Sequence, residues 1–112
     1  MSVEQTEKID AVTIDFAAGD CILTIVDHLE WNESHLLCLQ EKINRYLRFV
    51  ESGEVYVLYP AATSCDFKIE VTAIYAPDLR ATEFLCEVER SLEAAGFRWS
   101  VVPLGSVFAD EG

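Results

Sequence analysis

The chain has 112 residues, 51% of them hydrophobic and 25% charged, which suits one domain with a core of its own. Twenty acidic residues against eight basic ones give a formal net charge of −12, and such a surplus disfavours nucleic acid as a partner. No apolar run approaches the ~20 residues needed to span a bilayer, and the polar opening MSVEQTEKID is unlike a signal peptide, so a cytoplasmic protein with no membrane partner is expected.

Residues 1–8 and 109–112 lack periodicity and are expected to be flexible tails of a single domain over 1–112. IDAVTIDF alternates, with Val12, Ile14 and Phe16 on one face and Ala11, Thr13 and Asp15 on the other. The turn AAGD and the apolar run CILTIVD complete a predicted β-hairpin. Asn32 is a suitable N-cap, and Glu33 favours the positive end of a helix dipole. Leu36, Leu39, Ile43, Tyr46 or Leu47, and Val50 then form one helical stripe. Glu41, Lys42, Arg45 and Arg48 take the other side, with Glu41 and Arg45 at the favourable i,i+4 spacing. Gly53 suits the left-handed position that ends a helix.

The second half reads as a short strand EVYVLYP, a loop AATSCD and an alternating strand FKIEVTAIY. The last of these places Phe67, Ile69, Val71, Ala73 and Tyr75 on one face. Pro77 and Asp78 open a second helix, whose stripe is Ala81, Phe84, Leu85, Val88, Leu92 and Ala95, and Gly96 ends it. FRWSVV is the last strand, stopped by Pro103. The predicted order is β-β-α-β-β-α-β. That order implies an α+β two-layer sandwich with a mainly antiparallel sheet and both helices on one face. Each half has the outline of a ββα unit. The other sheet face would carry Ile22, Val26, Leu58, Ile74 and Val102, apolar residues that predict a homodimer or another protein partner there or at the edge of the last strand.

Chemistry concentrates in DHLEWNESH, residues 27–35. His28, Glu30, Glu33 and His35 are zinc or iron ligand types. The interval from His28 to His35 crosses a loop, unlike the one-turn spacing of H-E-x-x-H. Strand end, turn and helix cap account for the residues separately, with Trp31 anchoring the turn, so no metal or other cofactor is expected. Cys38, near Lys42 and Arg45 with His35 three residues before it, has the setting of a reactive thiol, but a Cys–His pair on one helix without a defined oxyanion hole favours an ordinary semi-buried thiol. Cys21, Cys38, Cys65 and Cys86 contain no C-x-x-C pair and read as reduced thiols. Lys42, Arg45 and Arg48 complement the helix dipole, with a small anion patch as the alternative. Gln40 and Asn44 are expected to bond loop backbone and fix the helix on the sheet. Trp31, Trp99, Tyr56, Tyr59 and Tyr75 either cap the core or line a ligand cavity.

The run from Asp27 to Pro60 carries Asp27-x-Leu29-x-Trp31, then Leu39-Gln40-x-Lys42-Ile43-Asn44-x-Tyr46-Leu47-x-Phe49, then Ser52-Gly53. It resembles a small bacterial family of unknown function that shares those motifs. The resemblance is close over about a third of the chain and looser elsewhere. It implies a stand-alone bacterial domain and supplies no catalytic residue. The leading expectation is a non-catalytic protein-binding module, immunity-protein-like at most. The alternatives are a small metal- or thiol-dependent enzyme using His28, His35 and Cys38, and a small-molecule sensor.

Overall fold

The computed structural model describes residues 3–105 and Phe108. Strands β1 (Ala11–Asp15) and β2 (Asp20–Asp27) form the expected antiparallel hairpin, with Ala11 opposite Thr24 and Asp15 opposite Asp20. Helix α1 (Glu33–Glu51) starts at Asn32, whose side-chain oxygen accepts the His35 N–H at 3.0 Å. It ends at Ser52, followed by Gly53 at φ 84°.

Beyond Gly53 the chain departs from the predicted strand. EVYVLYP winds into a short helix α2 (Glu54–Leu58), and Pro60–Ser64 follows as a 3₁₀ turn. β-Branched and aromatic residues prefer a pleated, half-buried surface, but among the described residues no strand pairs with this segment. Local bonds take over. The Tyr56 N–H donates to the Gly53 carbonyl at 3.1 Å and the Tyr59 N–H to Val55 at 2.8 Å. Only Val55 of α2 is buried, while Val57 and Leu58 are 79% and 61% exposed. Leu58 is therefore not a sheet residue, contrary to its expected place beside Ile22 and Val26.

Losing that strand changes the sheet. β3 (Asp66–Ala73) has no hairpin partner before it and pairs in parallel with β2, from Asp20 beside Asp66 to Asp27 beside Ala73. Helix α3 (Leu79–Ala94) is capped by Asp78, which accepts the Ala81 N–H at 2.8 Å. It leads to β4 (Arg98–Pro103), parallel to β3. The order is β1-β2-β3-β4, and two of the three pairings are parallel. The fold is α+β with a mixed sheet, not a mainly antiparallel one, and the second half holds no ββα repeat.

Alternation along the central strands works as expected. Cys21, Leu23 and Ile25 of β2 and Ile69, Val71 and Ala73 of β3 are buried in one cluster with Leu39, Ile43, Tyr46 and Phe49 of α1 and Leu85 and Leu92 of α3. Val12 and Ile14 pack against that cluster, whereas Phe16 lies past the end of β1 and is 80% exposed. Ile22, Val26 and Val102 fall on the other face, half-buried. Ile74 follows β3 and donates its N–H to the Asp27 carbonyl at 3.0 Å.

The segment before β1 is structural from Val3 onward, not a loose tail. Val3 is fully buried, and its N–H donates to the Val26 carbonyl at 2.8 Å. Residues 109–112, also expected to be flexible, lie outside the described residues. No helix among the described residues is long and apolar enough to cross a membrane.

Gly53 carries the α1–α2 junction in a left-handed conformation, and a Cβ added there would meet nothing within 4 Å. The penalty of a side chain is therefore the backbone term alone. Gly53→Ala is expected to lower unfolding free energy by about 1 kcal/mol, and Gly53→Asn by less, because Asn visits this region more readily. Urea denaturation of the two variants checks the order.

Candidate functional site

The residues that looked most like chemistry meet inside the molecule. Asp27 ends β2 and His35 lies in the first turn of α1, so the 28–32 turn folds one back onto the other. Both side chains are fully excluded from solvent, and His35 Nε2 shares a hydrogen bond with the Asp27 carboxyl. His35 Nδ1 lies 3.0 Å from the Glu30 carbonyl. A carbonyl only accepts, so Nδ1 carries a hydrogen, and a second proton lies between Nε2 and Asp27. The pair is formally neutral whether that proton sits on ring or carboxyl.

The turn closes over this pair. Trp31 stacks on the His35 ring at 4.1 Å with 19° between the planes. Its indole N–H donates to the Tyr75 carbonyl at 2.9 Å, tying the turn to the segment after β3. Asp27 also accepts the Leu29 N–H at 3.2 Å. A general base needs a free ring nitrogen facing substrate, and here both nitrogens are engaged internally. Cys38 packs against the core, and His35 is not available to activate it.

The other ligand candidates diverge. His28 points outward and meets Glu4 at 2.9 Å, and Glu33 pairs with Arg80. Among the described residues no group of three His, Cys, Asp or Glu side chains is placed to hold a metal ion. His28, Glu33 and His35 do not form one site.

A second buried polar centre was not foreseen. Lys42, read as a surface residue, is fully buried on the core side of α1. Its ammonium donates to an Asp10 carboxylate oxygen and to the Gln5 carbonyl, both at 2.7 Å. The other Asp10 oxygen accepts the Val26 N–H at 2.9 Å, and the Asp10 N–H donates to the Tyr46 hydroxyl at 2.8 Å. That hydroxyl donates in turn to the Thr24 carbonyl at 2.6 Å. Burial pushes the Tyr46 hydroxyl well above the usual tyrosine range. The signal was present in the spacing: Leu39, Lys42, Tyr46 and Phe49 step by three, four and three residues along one helix face.

Arg45 and Arg48 also turn toward the beginning of the chain. Arg45 meets Glu54 at 3.2 Å and Glu7 at 3.8 Å, and Arg48 meets Glu7 at 3.2 Å. The partner of Arg45 is therefore not Glu41, and the supposed anion patch is occupied by the chain's own carboxylates. Gln40 and Asn44 are exposed instead of bonding loop backbone. They line a surface groove of about 240 Å³ between α1 and α3, with Phe84 and Val88 across from them. The aromatic residues do not gather round one cavity: Tyr56 contacts Phe67, Phe67 contacts Phe97, Trp99 packs against the core, and Tyr59 borders a separate groove beside β1.

A family model described as a family of unknown function (DUF6572) matches residues 1–104. The chain belongs to that family. Neither a curated protein nor a solved structure matches it. The residues through which the sequence resembled such a family differ in their surroundings. Asp27, Trp31, Leu39, Lys42, Ile43, Tyr46 and Phe49 build or surround the buried polar centres, whereas Gln40 and Asn44 face solvent.

Two expected outcomes follow from burial. His35→Ala strands the Asp27 carboxyl in the core and should lower stability by about 3 kcal/mol or more, as breaking a buried pair does. Adding Asp27→Ala should then cost much less than it does alone, so a double-mutant cycle by urea denaturation gives a large coupling. Additive losses would contradict the pairing. The second outcome concerns Cys21, whose thiol burial, and secondarily Cys65, pushes up to about 11 from 9.0. Between those values the unfolded chain has released a proton that the folded one keeps, so stability falls as pH rises. Cys21→Ala should flatten the decline between pH 9 and 11 by up to one proton's slope, about 1.4 kcal/mol per pH unit.

Proposed function

We propose that the protein is a non-catalytic protein-binding module of the cytoplasm whose partner presents a basic surface. The observation that supports this reading most is the disposition of charge. Lys42, Arg45, Arg48, Lys68, Arg80, Arg90 and Arg98 each lie within ion-pair distance of a carboxylate of the same chain. These are seven of the eight basic residues. The surplus that remains is carboxylate, with Glu41 and Glu51 of α1 and Glu83 and Glu93 of α3 exposed. An anionic ligand would have to displace an internal partner to reach a guanidinium. A cationic surface meets carboxylates that have surrendered only water, and a field of this sign steers it inward.

The same geometry removes support from the enzyme reading. His35 is buried without a free ring nitrogen, His28 stands apart from it, and Cys38 packs on the core. An immunity protein masking a basic nuclease is one form the module could take, and its size and charge suit it.

The test is a titration against a basic protein recovered from cells on the immobilised chain. One-to-one binding is expected to weaken at least tenfold between 50 and 200 mM salt and again on Glu83→Lys with Glu93→Lys. Binding that ignores both salt and charge reversal would reject the proposal.

A further inference from the structure

The outer edge of β1 is one end of the sheet, and an edge strand offers unpaired N–H and C=O groups to another strand. The opposite edge, β4, ends in Pro103, which has no N–H to give. Beside β1 lies a groove of about 310 Å³ lined by Ile9, Val12, Phe49, Leu58 and Tyr59, together with Asp10, Ala11 and Glu54. Its two carboxylates are already neutralised, Asp10 by Lys42 and Glu54 by Arg45. At the far end of the same strand stands Phe16, 80% exposed. An apolar hole and an apolar knob thus occupy opposite ends of one open edge.

We propose that this edge is a homodimer interface, in which β1 of two copies pair antiparallel about a two-fold axis at Thr13 and Phe16 of each fills the groove of the other. The register follows from the sequence AVTID. With Thr13 facing Thr13 of the partner subunit, Val12 faces the partner's Ile14 and Ala11 faces the partner's Asp15. No carboxylate opposes a carboxylate, and apolar residues on the core-side face meet each other. The next step of that register sets Phe16 opposite position 10 of the other copy, where Ile9, Leu58 and Tyr59 border the groove. The arrangement is isologous, so one geometry forms both contacts.

Charge selects this edge as well. Two copies of a chain with net charge −12 repel wherever their uncompensated carboxylates are brought together. Around the two helices Glu41, Glu83 and Glu93 would be doubled by a two-fold axis, whereas the carboxylates of the β1 groove carry their own cations. The exposure of Val57 and Leu58, 79% and 61%, extends the apolar border of the groove. This self-association uses a surface separate from the exposed carboxylates of α1 and α3, so high salt that releases a basic partner should leave the dimer in place.

Light scattering with size-exclusion chromatography at about 100 μM, in 300 mM salt, should give twice the chain mass. Phe16→Glu alters an exposed turn residue, so it should keep the circular-dichroism spectrum and give the single-chain mass. In a Cys86→Ser background, which removes the exposed native thiol, Thr13→Cys should form a disulfide-linked dimer on mild oxidation while Cys86→Ser alone does not. A monomeric native chain would overturn the proposal. So would a dimer indifferent to Phe16→Glu, or a Thr13→Cys variant that fails to cross-link.

Discussion

The position of α1 depends on a cost that its own sequence creates. The face it turns to the core carries an imidazole, an ammonium and a phenol among its aliphatic side chains, and none of these can be buried without a partner. Each finds one at the hairpin or just before it: His35 at Asp27, Lys42 at Asp10 and Gln5, Tyr46 at Asp10 and Thr24. A sliding or rotated helix would still bury apolar area but would strand a charge. The polar contacts therefore select one placement from several that hydrophobic packing alone would tolerate. They also explain why the segment before β1 is ordered, since it supplies the carboxylate and a carbonyl for Lys42.

Seen this way, an apparent catalytic cluster is a framing device. Asp27, Trp31 and His35 join the end of β2, the start of α1 and the segment after β3 through one closed set of bonds. Chemistry-bearing residue types are used here for their directional bonds, and the directions all point inward. The outer surface keeps a different character, in which guanidinium groups are held by neighbouring carboxylates and the remaining acidic groups face water.

Much of this fold was legible in the sequence where one local rule acted alone. Asn32 and Asp78 cap helices, Gly53 ends one, and the alternation in CILTIVD separates two sheet faces. Legibility failed where a residue's role depended on something distant. EVYVLYP has the composition of a strand but joins no strand of the described sheet, and its helical turn makes the β2–β3 connection a parallel crossover where a strand there implies a hairpin. Lys42 reads as a surface residue by its charge, although its spacing from Leu39 and Tyr46 lies on the buried stripe. The partner that permits its burial, Asp10, is 32 residues away, and no local pattern announces it. Gln40 and Asn44 failed in the reverse sense: amides beside the stripe looked like bracing and instead border an open groove.

The separation between Lys42 and Asp10 also has a temporal side. During synthesis the segment carrying Asp10 leaves the ribosome first, followed by the hairpin that ends at Asp27. Neither carboxylate then has its partner on α1, so both remain hydrated and the hairpin has no reason to become dry. Only when α1 has emerged can the two carboxyl groups be enclosed, and β2 still waits for β3, whose pairing spans the whole helix. The order of the chain thus delays desolvation until the groups that make it tolerable are present, and a nascent hairpin keeps its charges in water.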